Sequence, residues 1–148
     1  MTEKIRLALC FLVLLTEGIY DRRTKRILLL PAAVFGVTGA VLSAFSGKRG
    51  ILSALLGAGV GGILFLISFA TKEKIGPGDG IVFVVTGLLL GFRRNLFLLL
   101  FSLFLSALAG IWLLLTRRAG RDTKMAFVPF LIPGLVLTTA LLEGGVTL

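Results

Sequence analysis

From Leu96 to Thr116 the chain runs through a whole bilayer's worth of residues without one charged side chain. A helix advances about 1.5 Å per residue and the hydrocarbon core of a bilayer is about 30 Å thick, so a stretch of this length suits a membrane-crossing helix. A soluble domain carries roughly 25% charged residues and interrupts its apolar runs every few positions. Here 57% of 148 residues are hydrophobic and 16% are charged, and the mean hydropathy is +1.05. That leaves too little polar surface to cover a soluble core. The expected fold is all-α, a polytopic membrane helix bundle embedded in the lipid bilayer with almost no soluble domain.

Six apolar segments of about transmembrane type are legible: Ile5 to Tyr20, Ile27 to Ser46, Ile51 to Ala70, Ile81 to Phe92, Leu96 to Thr116 and Met125 to Leu142. The breaks between them are Asp21 to Arg26, Gly47 to Gly50, Thr71 to Gly80, Arg93 to Asn95 and Arg117 to Lys124. Breaks this short make neighbouring helices antiparallel and leave no room for a second domain, so residues 1–148 read as a single transmembrane domain. The first segment follows Lys4 and Arg6 as a signal peptide would, but it has no small-residue cleavage site and is expected to be a retained helix. Gly57, Gly59, Gly61 and Gly62 give the third segment a face that another backbone can approach closely. The fourth is too short: Ile81 to Phe92 reaches only about 18 Å as a helix. Either it stops partway, or the stretch from Ile75 to Gly80 lies partly at membrane depth beside a polar cavity.

The net charge of +9 does not point to nucleic acid. Its basic residues sit in short clusters between apolar runs, not along one helix face. Ten of them fall in the first, third and fifth breaks; Lys4, Arg6, Lys48, Arg49, Arg93 and Arg94 make six on the opposite side. Positive residues stay inside, which puts the ten in the cytoplasm and both termini outside.

The chain has no histidine and one cysteine, Cys10, within the first segment. Ser-His and Cys-His nucleophiles, His-based zinc sites and Cys-x-x-Cys pairs are therefore absent, and no metal or cofactor is expected. Cys10 reads as a small apolar packer. Of the acids, Glu3, Glu73, Asp122 and Glu143 fall in termini or breaks, whereas Glu17, Asp21 and Asp79 abut or enter apolar segments. An ionisable group there is costly and points to function. Asp21 alone could be a helix-end acid balanced by bases, and Asp79 alone could be an N-cap. Two helices separate them, however, so both emerge on one face. Two carboxyls at a shared boundary, one ionised and one protonated, can activate a water and protonate a leaving amine. Glycines at Gly76 and Gly78 suit the tight turn and close substrate approach such a site needs.

Three strings, in order, carry a resemblance: Asp21-Arg-Arg-Thr-Lys-Arg-Ile27, Gly76-Pro-Gly-Asp79 two helices later, and Val128-Pro-Phe-Leu-Ile-Pro-Gly134 near the end. The chain resembles the peptidase domain of the type IV prepilin peptidase family, intramembrane aspartic proteases with a Gly-x-Gly-Asp motif. The resemblance spans nearly the whole chain. It implies cleavage of the leader of pilin-like precursors at the cytoplasmic face of a bacterial membrane, just ahead of their hydrophobic segment, with Asp21 and Asp79 as the catalytic pair. Gly76, Gly78, Glu17, Pro129 and Phe130 would support the pair or bind substrate. Larger members also methylate the new N-terminus through a segment with Cys-x-x-Cys pairs; this chain has none and resembles the short, peptidase-only form. It departs from the pattern at Leu28-Leu29, where Pro-Asn is frequent, and at Ile81, where Lys is frequent. Two other readings stand beside the protease: a small transporter using Glu17, Asp21 and Asp79 as a proton or cation path, and a catalytically silent assembly factor. A homo-oligomer is left open.

Overall fold

A computed structural model of the chain describes residues 2–24, 28–71, 76–116 and 127–144, with the side chains of 2 and 22–24 left aside. The described residues form α1 (Thr2–Thr24), α2 (Leu29–Phe45), α3 (Gly47–Ala70), α4 (Pro77–Leu90), α5 (Phe92–Leu115), a 3-10 turn (Val128–Phe130) and α6 (Leu131–Glu143). No strand occurs among them. Six helices match the six expected segments, but their boundaries differ where charge clusters were taken for loops. Lys48 and Arg49 lie in the first turn of α3, and Arg93 and Arg94 in the first turn of α5. The chain turns instead at Gly47 (φ 73) and Gly91 (φ 78), left-handed positions where a side chain would be strained. Asp21 continues α1, and Pro77 to Gly80 are already helical. The last helix starts at Leu131, after the 3-10 turn, and Met125 lies outside the described residues.

The short helix α4 is the hub of the bundle. Its 14 residues span about 21 Å. Val82, Phe83, Val85, Thr86, Gly87 and Leu89 are all buried, because the helix packs against α1, α2, α3 and α5. A helix sheathed by others need not match the bilayer thickness itself. The tightest of these interfaces is with α3, where Gly57 and Gly61 lie so close to α4 that a Cβ on Gly57 would come 2.6 Å from the Gly87 carbonyl oxygen. Gly59 and Gly62 point elsewhere, with nothing within 4 Å of where a Cβ would be. The glycine-rich face is therefore two residues wide, not four.

Polar groups lock the same hub from the α5 side. The buried Asn95 amide donates to the Gly57 carbonyl at 2.9 Å and the Phe83 carbonyl at 3.0 Å, and its oxygen accepts from the Thr86 hydroxyl at 2.7 Å. One side chain thus ties α3, α4 and α5 together. At the same end Arg6 of α1 donates to the Leu42 carbonyl at 2.6 Å and to Ser46 Oγ at 2.8 Å. The guanidinium meets the last carbonyls of α2, where a helix presents its negative end.

Leu14, Phe83, Leu89, Leu98 and Leu131 fill the centre. The outside is as apolar as the inside: Phe45 is 86% exposed, and Leu30, Leu66, Trp112 and Leu115 also face outward. Among the described residues α3 and α5 are the helices long and apolar enough to cross a membrane. Such a surface suits lipid and not water.

Candidate functional site

The end of the bundle opposite Arg6 gathers three acids, Glu17, Asp21 and Asp79. The last turns of α1 carry Glu17 and Asp21, four residues apart and so on one face; both are buried. Asp79 comes from the first turn of α4. Gly76 leads in with extended backbone (φ −61, ψ 129) and Pro77, whose missing N–H costs nothing at a helix start, opens the helix. The Asp79 amide donates to the Gly76 carbonyl at 3.1 Å. The cap position is thus Gly76; Asp79 is not an N-cap but a first-turn carboxylate, on the side of the helix dipole that favours negative charge.

Asp21 lies within electrostatic range of both Glu17 and Asp79. Asp79 stands ahead of the apolar stretch that begins at Ile81. Burial, and after it the like charge of Asp21, push its carboxyl up to about 7. Near neutrality this side chain therefore holds a proton in a large share of molecules, which is what a general acid requires. The three carboxyls are not arranged as a metal-binding group among the described residues.

Glu17 is fully buried. Its Oε2 accepts the Leu28 amide proton at 2.9 Å, while Oε1 has no hydrogen-bond partner among the described residues. This bond ties α1 to the start of α2 across the basic string, whose Lys25, Arg26 and Ile27 lie outside the described residues, as do the side chains of Arg22 and Arg23. A proline at residue 28 has no N–H and could not make the bond. Leu28 is therefore more than a departure from a motif; it supplies the donor that a buried carboxylate accepts.

The 3-10 turn closes another side. Its Pro129 packs on α1 at Gly18, where a Cβ would sit 3.8 Å from the Pro129 Cα, directly after Glu17 in the chain. Phe130 shares the turn and is half-buried. Phe127, just before it, packs on Phe83 of α4 with ring centroids 6.2 Å apart. Gly76 is exposed and Gly78 half-buried beside Asp79. The structure thus brings Glu17, Asp21, Gly76, Gly78, Asp79 and Pro129 to one end of the bundle. The roles of two residues went unseen in the sequence. Leu28 contributes only its backbone. Gly80 lets α4 sit against α3, since a Cβ there would come 2.8 Å from the Phe65 Cα.

The model of a known family, described as the type IV leader peptidase family, matches residues 7–115. That range includes all three carboxyls and both glycines of the site and stops before the Pro129 turn. No curated protein and no solved structure matches the chain.

Proposed function

Since this chain belongs to the type IV leader peptidase family, a group of membrane-embedded proteases, we propose that it is an aspartic endopeptidase that removes the leader of prepilin-like precursors at the cytoplasmic face of the membrane, with Asp21 and Asp79 as the catalytic pair. The observation that carries this is the meeting of the two acids: residues from helices far apart in the chain share one end of the bundle, within electrostatic range of each other. The raised Asp79 fits the protonated partner. Asp21, ionised, takes a proton from a water as its oxygen attacks the scissile carbonyl; Asp79 gives its proton to the developing oxyanion. A proton then passes to the leaving amine as the carbon–nitrogen bond breaks, and the pair returns to one shared proton. Glu17 supports the pair by holding the Leu28 backbone beside it, and Gly76 and Gly78 keep the approach to Asp79 free of side chains. The excess of basic residues in the breaks at this end favours the cytoplasmic side.

Co-expression with candidate pilin-like precursors tests the reading. Leader loss should accompany the wild-type chain and vanish with Asp79→Asn. Leader loss that persists with Asp79→Asn, in cells with no other such peptidase, would overturn it.

A further inference from the structure

Glu17 is 0% exposed, yet its two oxygens differ in their surroundings. Oε2 accepts the Leu28 amide proton at 2.9 Å, and Oε1 has no hydrogen-bond partner among the described residues. The cations whose side chains are described, Lys4, Arg6, Lys48, Arg49, Arg93 and Arg94, stand near the starts of α1, α3 and α5, at the opposite end of the bundle. A carboxylate without a cation is costly away from water, and such a group takes up a proton instead. The Leu28 bond selects the oxygen: Oε2 is the acceptor, which leaves Oε1 for the proton.

A buried O–H needs an acceptor. Asp21 is one helical turn further on, and residues at that spacing have Cβ atoms about 5–6 Å apart. Side chains on a helix lean toward its N-terminus, so Asp21 leans back over Glu17. Asp21 is itself buried and lies within electrostatic range. The other neighbours offer no rival: α2 brings the Leu28 amide, and the 3-10 turn at Gly18 brings Pro129, neither of which titrates. From α4 comes Asp79, which feels the charge of Asp21. The side chains of the bases at this end lie outside the described residues, so an ion pair with one of them is an outcome the test must separate.

We propose that Glu17 is a hydrogen-bond donor to Asp21: it carries a proton on Oε1 and gives that hydrogen bond to the Asp21 carboxylate, keeping Asp21 ionised and aimed at the water. A hydrogen bond to the charged form favours that form. Glu17 is then a positioning residue, whose own proton is not consumed in the reaction. The proposal rests on the leader-peptidase reading and adds to it the group that decides which acid of the pair is ionised.

Two measurements decide it. Glutamine mimics a protonated glutamate, since its carbonyl accepts the Leu28 amide and its NH2 donates, whereas methionine fills similar space and does neither. On a leader-bearing precursor, kcat of Glu17→Gln should exceed that of Glu17→Met by roughly tenfold or more. The acid limb of the pH–rate profile should move up by roughly one pH unit in Glu17→Met, as Asp21 becomes harder to ionise, and Glu17→Gln should restore it. A purely structural role would lower activity without moving that limb. Equal losses in the two variants, as a glutamate paired with a base or relaying protons would give, would overturn the proposal, and so would an unmoved acid limb in Glu17→Met. The second measurement needs neither cleavage nor the methionine variant. In the Asp79→Asn background at neutral pH, in an ester-free detergent, the infrared spectrum should contain the carbonyl stretch of a protonated carboxyl, and adding Glu17→Gln should remove it. A spectrum in which Glu17→Gln removes no such band would overturn the proposal too. If the wild type cuts no precursor, the proteolytic reading fails by itself and the spectrum still judges Glu17.

Discussion

Replacing Gly80 by alanine should damage catalysis more than it damages the fold. A Cβ at this position would lie 2.8 Å from the backbone nitrogen and Cα of Phe65 and 2.9 Å from its Cβ. Non-bonded carbons settle at about 3.5–4.0 Å, so the start of α4 must retreat from α3 by roughly 0.7–1.2 Å. Overpacking of this kind costs about 1–3 kcal/mol of stability. Asp79 is the preceding residue and moves with the helix, whereas Asp21 is anchored in α1. A misplacement of about 1 Å costs a catalytic group about 10²-fold, so kcat on a precursor should fall roughly 30- to 100-fold. Gly57→Ala is the matched comparison, because its Cβ would come 2.6 Å from the Gly87 oxygen and 2.8 Å from the Gly91 carbonyl carbon, at the far end of α4. Its stability loss should be similar and its kcat should stay within about threefold of wild type. Thermal unfolding and single-turnover cleavage of the purified protein in detergent give both numbers for both variants. Equal kcat losses, or full activity in Gly80→Ala, would refute the link between this helix contact and the geometry of the acids.

The pH–rate profile should be bell-shaped. Asp79 must carry its proton, so activity should fall as pH rises through about 7, and on the acid side it should fall as the second carboxyl of the pair takes a proton; a profile flat from pH 5 to 9 would contradict paired carboxyls. Cleavage should survive strong chelation of divalent ions, and a loss restored by one specific metal would argue for a carboxylate metal site. Single cysteines at Thr24 and Thr123, in a chain lacking Cys10, should react from the cytoplasmic side and one at Ser46 should not; the reverse labelling would put the acids in the wrong compartment.

Much of the architecture was legible because lipid-facing helices are written as uninterrupted apolar runs, and counting helices between Asp21 and Asp79 was enough to put both at one end. The errors fell where a local signal competed with a longer-range one. Lys48, Arg49, Arg93 and Arg94 look like loop residues, yet they begin helices, because Gly47 and Gly91 turn the chain in a single positive-φ step. Four glycines looked equivalent in the third segment, but helical periodicity turns only Gly57 and Gly61 toward α4. Asn95 gave no sign of its role, since two of its three partners are backbone carbonyls on other helices, and carbonyls have no sequence signature. Leu28 was hidden for the same reason: its contribution to Glu17 is an amide proton that every residue but proline has.

Whether Asp21 and Asp79 act as one unit is tested most directly by a double-mutant cycle on the purified protein reconstituted into vesicles with a leader-bearing precursor. Asp21→Asn, Asp79→Asn and the double variant should each lose roughly 10³-fold or more in kcat, and the double should be no worse than the weaker single by more than a few-fold, because removing either member already disables a pair. All three must remain folded in the membrane for the comparison to count, which their thermal unfolding reports. Substantial cleavage by either single variant, or losses that multiply in the double, would contradict the shared-proton pair.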